Sequence, residues 1–388
     1  MKNNFLKVLL VSVILFSSCG EDATSDIIIN VNGDGGTPTT SDAIELSGNY
    51  ATNLTLDATK EYIITGPTII ESGATLTIPS GMIVKAAATG ADVYLAIAQG
   101  GKIIAEGTST NPIVFTSSAN TPNAGDWGGL ILLGKAPTNV VASGTATSEI
   151  GNLPYGGSDA SDNSGILRFV RVEYSGGKAD GQSENNGFSF YGVGDGTTVE
   201  NIQMFEGKDD GIEFFGGTVN VSRVSVVNAE DDSIDWTEGY TGTITDAYVK
   251  HGTSHDKGIE ADGYNTDVAN NGGFWSKPTL INVTIIGLGS GTANEAIRLR
   301  AGTQGIFTNI WVEGFAEGFD LDGDQGSNNT GAGVLSGDLK VNSVIFADVT
   351  TKLKNDTGAT FADADFYTED ATATGTDYAT WGAGWTRQ

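Results

Sequence analysis

Asp209-Asp210-Gly211-Ile212-Glu213-Phe214-Phe215-Gly216-Gly217 is the stretch that decides the fold. Acids and a glycine turn the chain, and an apolar–polar–apolar triplet follows. The pattern returns at Asp232-Ser233-Ile234-Asp235-Trp236, Lys257-Gly258-Ile259-Glu260-Ala261, Glu295-Ala296-Ile297-Arg298-Leu299 and Glu317-Gly318-Phe319-Asp320-Leu321, and it already stands at Asn186-Gly187-Phe188-Ser189-Phe190. The small residues are 24, 22, 25, 38 and 22 positions apart. Those steps suit one coil of a β-helix, and the step of 38 implies an inserted loop. Alternate side chains of a strand face opposite ways. Ile212 and Phe214 therefore point inward, and the middle residues Ser189, Glu213, Asp235, Glu260, Arg298 and Asp320 form an outward ladder.

A second series of strands follows the first, at Val199–Ile202, Val219–Ser222, Ile244–Ala247, Leu280–Val283, Phe307–Ile310 and Val341–Val344. Earlier segments such as Tyr62–Ile64, Ala74–Ile78, Ile83–Lys85, Val93–Ile97, Ile103–Ala105 and Ile113–Phe115 read as further coils. One coil cannot bury its apolar face alone, whereas stacked coils bury a continuous core. The fold expected is all-β, a right-handed single-stranded parallel β-helix over 42–388. A Gly/Pro/Ser/Asn-rich loop excursion is expected at 117–162. The tail 361–388, with Tyr367, Tyr378, Trp381 and Trp385, is expected to cap the last coils, or else to offer aromatics to sugar. With 55 glycines and no convincing helical periodicity, the composition favours short strands and tight turns.

The amino terminus reads as an export signal over 1–18. Lys2 and Lys7 flank a short apolar run that ends at Phe16-Ser17-Ser18-Cys19. The run is too short to span a bilayer as a helix. Cys19 is the one cysteine of the chain, so no intrachain disulfide forms. Its setting resembles the lipobox of bacterial lipoproteins, which implies acylation of Cys19, palmitate included, and membrane contact through that lipid anchor only. The following Gly20-Glu21-Asp22 resembles the acidic signal that sends Bacteroidota lipoproteins to the cell surface, on the outer membrane. Residues 19–41 read as an acidic flexible tether. The formal net charge of −28 becomes about −30 once the signal, with its two lysines, is removed. Such a body repels nucleic acid, which is excluded as a partner.

The segment from Gly66 to about Asp235 resembles a widespread family of exported Bacteroidota β-helix proteins of uncharacterised function. The stretches that carry the likeness are Val84–Ala88, Gly100–Thr108, Trp127–Gly134 and, most specifically, Asp209–Gly217. The resemblance implies an exported right-handed β-helix and supplies no assigned catalytic residue. More distantly, the fold resembles pectate-lyase-like enzymes that cleave or bind acidic polysaccharides.

The candidate chemistry lies on the ladder and on the turns before it. Successive coils stack about 4.8 Å apart, so Glu213, Asp235 and Glu260 crowd one surface and repel unless a base or cation joins them. Arg298 is the expected compensating base, and calcium suits the hard oxygens. Asp209 and Asp210, Asp231 and Asp232, and Asp256 repeat at the turns, where they either bind that ion or cap backbone amides. Three readings stay open. A lyase would use Arg298 or Lys257 as the substrate clamp and His251 or His255 as the base, with Asp256 and Tyr248 nearby. A hydrolase would pair Asp235 with Glu213 or Glu260. A binding or accessory protein would present the acids, Arg298, Lys257 and exposed aromatics such as Trp275 to extracellular polysaccharide. Trp236 falls at an inward position and reads as core. An adhesin or envelope-structural role is the remaining alternative.

Overall fold

The computed structural model describes residues 43–178, 185–292, 294–323 and 330–388. The expected signal 1–18, the lipidation residue Cys19 and the tether 19–41 lie outside the described residues.

Each coil enters its sheet where the sequence places a small residue, because neighbouring coils approach closely there. A Cβ added to Gly187 would meet Met204 Cγ at 2.3 Å and the carbonyl oxygen of Gly211 at 2.5 Å. From these turns run the short strands Leu95–Ile97, Leu130–Leu133, Phe188–Tyr191, Ile212–Phe215, Ile234–Thr237, Ile259–Asp262 and Glu295–Arg300, each parallel to the next. The ends of two long strands, Gly305–Leu321 and Leu339–Asn355, complete this sheet. The register pairs Ser189 with Glu213, Glu213 with Asp235, Asp235 with Glu260, Glu260 with Arg298, and Arg298 with Asp320. The ladder read from the triplets is thus the ladder of the fold.

The remaining faces come from longer strands: Gly165–Glu173, Thr198–Gly207, Val221–Ala229, Thr243–Lys250, Thr279–Ile286 and Gly305–Leu321, stacked in parallel. Each turns a corner at a left-handed residue, and these form a column of six, Phe169, Asn201, Arg223, Asp246, Asn282 and Asn309, while Thr198–Gly207 and Val221–Ala229 carry a second such residue at Glu206 and Asn228. Asn and Asp tolerate that conformation better than other side-chain-bearing residues, and they fill four of the six places. Asn282 donates to Asp246 Oδ1 at 2.9 Å, and Asn309 donates to Asn282 Oδ1 at 2.8 Å. The architecture is a right-handed parallel β-helix.

Inward residues fill the coil axis. Phe190 stacks on Phe214 at 5.3 Å between ring centroids, and Phe214 stacks on Tyr240 at 4.3 Å. Trp236 is fully buried and donates from Nε1 to Thr303 Oγ1 at 3.1 Å, as its inward place in the triplet predicts.

Two features depart from the sequence reading. The excursion expected at 117–162 begins later, because Leu130–Leu133 is a regular coil strand between Leu95–Ile97 and Phe188–Tyr191. The reason lies on the outer face of the early coils. Ala96, Ile131, Leu133, Tyr191 and Phe215 are apolar there, and the excursion folds over them with Ile150 and Tyr155 to make a second core. Tyr191 and Phe215 stack 3.9 Å apart beneath Tyr155. The tail also divides. Phe366 and Tyr367 pack on Phe319 and cover the last coil. The rest runs back along the outside of the long-strand sheet. Thr376 meets Thr284 and Asp246, Tyr378 stacks on Tyr248, Arg171 donates to the Trp385 carbonyl, and Arg387 exchanges two hydrogen bonds with Gln203. Tyr378 and Trp385 are buried there rather than offered to sugar.

Candidate functional site

Where the excursion ends, the outer face of the short-strand sheet changes from apolar to charged. Two columns run along it, three residues apart in each coil. The first is Asn186, Asp210, Asp232, Lys257, Glu295 and Glu317, and the second is Ser189, Glu213, Asp235, Glu260, Arg298 and Asp320. The turns fix the first column. Asp210 Oδ1 accepts the backbone N–H of Asp232 at 2.9 Å, and Asp232 Oδ1 accepts that of Lys257 at 2.6 Å. Each acid therefore caps the next coil, one of the two roles expected of the turn acids, and keeps its second oxygen for the surface.

Asp210, Asp232 and Lys257 of the first column and Glu213, Asp235 and Glu260 of the second line a cleft of about 320 Å³ with Glu149, Asp209, Asp231, Asp256 and Arg300. Nine carboxyl groups face two cations in it. Carboxylate oxygens of Asp210, Glu213 and Asp235 lie within 4.8 Å of one another. The same is true of Asp232, Asp235 and Glu260, of Asp209, Asp210 and Asp231, and of Asp231, Asp232 and Asp256. Burial first, and then neighbouring carboxylates, push Asp210, Glu213, Asp232 and Asp235 well above the usual carboxylate range. Burial opposes the Lys257 ammonium, but Asp232 and Glu260 outweigh it and hold its pKa above the ordinary lysine value. Lys257 Nζ lies 2.5 Å from Asp256, 2.9 Å from Glu260 and 3.9 Å from Asp232. On the acidic rim, Lys178 Nζ reaches Asp209 at 3.2 Å. Calcium fits this donor set, because the groups are crowded hard oxygens with no histidine or cysteine among those lining the cleft.

The structure separates the other sequence candidates from the cleft. Arg298 is in register with Glu260, but its guanidinium turns to Asp322 Oδ2, 3.0 Å from Nε. Arg300, two residues further along the strand, takes the place expected of it and bonds Glu260 and Asp262. His251 is 2% exposed and sits 4.3 Å from the stacked ring of His255 and edge-on to Phe315. Burial and His255 bring its pKa down to about 4. His255 contacts Asn294, and neither histidine lines the cleft. Tyr248 lies on another face, 3.8 Å from Tyr378. Trp275 belongs to the inserted loop after Ile259–Asp262, is half-buried, and does not line the cleft.

Four contributors escaped the sequence reading. Arg300 and Asp262 share the outward parity of Arg298 and Glu260, so alternation carried a signal for them. Glu149 and Lys178 come from irregular segments, and no spacing marks them. Glu238 is a related case beneath the excursion, where it accepts from Tyr155 Oη at 2.5 Å and Thr138 Oγ1 at 3.2 Å.

No curated protein and no solved structure matches this chain. A family model described as a pectate-lyase-like beta helix domain matches residues 48–386. That span takes in the coils, the acidic cleft and the returning tail, and the chain belongs to the pectate-lyase-like β-helix domain family.

Proposed function

We propose that this protein engages extracellular polysaccharide at the cleft over Glu213, Asp235 and Glu260, as a binding or accessory protein held on the outer membrane surface by a lipid on Cys19. The family's fold fits interaction with polysaccharide in general. The observation that carries the reading is the cleft itself, with nine carboxyl groups set against Lys257 and Arg300 on an outer face of the solenoid. Calcium held by Asp210, Glu213, Asp232, Asp235 and Glu260 would neutralise the crowding and offer coordination positions to sugar hydroxyl or carboxylate oxygens.

Binding is favoured over elimination because the parts of a lyase are dispersed. Proton abstraction needs a base within reach of the substrate clamp. His251 and His255 lie off the cleft, and Arg298 is engaged by Asp322. The two cations that do line the cleft are held by Asp256, Glu260 and Asp262. The test is a panel of acidic and neutral polysaccharides offered to the body from residue 42 to 388, the chain's compact unit, in calcium and in chelator. Calcium-dependent binding without product supports the reading. Unsaturated-sugar absorbance with new reducing ends replaces it with a lyase, and new ends alone replace it with a hydrolase. Failure to bind any glycan sinks it in favour of adhesion or an envelope scaffold. Radiolabelled palmitate incorporated by the wild type and lost in Cys19→Ser tests the anchor.

A further inference from the structure

Lys257 interrupts the first acidic column and Arg298 interrupts the second, and together they cut the ladder in two. Beyond the break stand Glu295 and Glu317 in one column and Asp320 in the other, with Lys354 paired to Asp320 in the next coil. We propose that Glu295, Glu317 and Asp320 form a second divalent-cation site, separate from the cleft, which takes calcium and ties two adjacent coils together.

The geometry supplies the ligands. Glu295 and Glu317 are in register on adjacent strands, as are Arg298 and Asp320. Carboxylate oxygens of Glu295, Glu317 and Asp320 lie within 4.8 Å of one another. A second observation is independent of that crowding. Asp320 is 1% exposed, and its Oδ1 is shielded from solvent with no hydrogen-bond donor among the described residues. Glu295 Oε2 and Glu317 Oε2 are shielded and lack donors in the same way. A buried acceptor without a donor costs about 1–3 kcal/mol, and more when charged. A positive charge placed among three such oxygens removes that cost.

The surrounding cations do not supply it. Arg298 is spent on Asp322. Lys354 bonds Asp320 Oδ2 at 3.0 Å, is shared with Asp356 at 3.3 Å, and reaches Glu317 only at 3.7 Å. Arg298 and Lys257 also attract Glu295 from a distance, but of the three carboxylates only Asp320 hydrogen-bonds a cation among the described residues, which leaves room for the charge of one divalent ion. With oxygen donors alone, and with glutamates able to bind through one oxygen or two, the set suits calcium better than magnesium or a transition metal. Because Glu295 comes from Glu295–Arg300 and both Glu317 and Asp320 from Gly305–Leu321, the ion would cross-link two adjacent coils through their outward side chains.

Calcium binding to the metal-stripped protein, measured by titration calorimetry, tests the site in three variants. Glu295→Gln/Glu317→Gln is expected to lose one calcium equivalent, or to weaken it about tenfold or more, while keeping its circular dichroism. Asp232→Asn/Asp235→Asn, in the cleft, is expected to retain that equivalent, which separates this site's failure from that of the cleft. Lys354→Gln removes the competing ammonium and is expected to bind calcium more tightly, and it decides the matter if the glutamate pair does not fold. Unchanged stoichiometry and affinity in Glu295→Gln/Glu317→Gln would overturn the proposal, as would calcium affinity unaltered or weakened by Lys354→Gln.

Discussion

Replacing Asp235 by Asn is expected to stabilise the protein in the absence of divalent cations and to lose that effect in calcium. Asp235 lies in register between Glu213 and Glu260, with Asp232 and Asp210 also beside it. At about 4.8 Å and an effective dielectric near 20, each like-charge pair costs about 3 kcal/mol. Proton sharing among the acids, and the attraction of Arg300, remove part of that cost. Asn keeps the shape, and about 2 kcal/mol remains to be gained at pH 7. Unfolding entropy of about 2.1 cal/mol/K per residue over the described body converts this to a rise of about 3 °C in Tm. The pH dependence carries the same sign. Carboxyl groups whose folded pKa lies above the unfolded one bind more protons when folded, so their contribution is fully present below the unfolded pKa of about 4 and is lost as pH rises through the folded value. In chelator, the wild type is therefore expected to lose stability as pH rises from about 4 toward neutrality, and Asp235→Asn to lose less. Calorimetric melts at several pH values, with chelator and with calcium, give both comparisons. A Tm for Asp235→Asn at or below wild type in chelator at pH 7, or a gain of equal size in calcium, would refute the reasoning.

Three further outcomes are expected. Tyr155→Phe removes the donor to buried Glu238 and leaves only Thr138 and Asn265, at a cost of about 2 kcal/mol visible as a lower melting temperature. Trp385→Ala empties a buried site against Phe169 and Trp381 and should cost about 3–5 kcal/mol, with faster proteolysis at the carboxyl terminus. His251 should titrate by NMR near 4, and its contribution to stability, present above its unfolded pKa of about 6.5, should be lost as pH falls through that folded value. A midpoint near the unperturbed value would contradict its packing against His255 and Phe315.

The coils were legible because a solenoid repeats one local rule. Gly211-Ile212-Glu213-Phe214 states that rule, and its copies pair in the order their spacing implies. The long step before Glu295 also read correctly as an insertion, the loop between Ile259–Asp262 and Thr279–Ile286. What repetition does not encode was not legible. Tyr191 and Phe215 are apolar on an outward face, and only their cover by Tyr155 and Ile150 explains them. Periodicity brought Arg298 level with Glu260, yet side-chain reach gave Glu260 to Arg300 and left Arg298 to Asp322. The tail's path depends on contacts more than a hundred residues away in sequence, such as Gln203 with Arg387.

That path changes how the molecule should come apart. A stack of coils joined only to its neighbours can unzip from either end, one layer at a time, each step indifferent to distant layers. Here the chain's last residues grip Arg171 and Gln203 in the middle coils while Phe366 and Tyr367 sit on the final one. Layers between those anchors cannot peel outward until the grip is released. A pulling experiment on the carboxyl terminus should therefore meet one large rupture followed by a run of small ones, rather than an even sawtooth from the start.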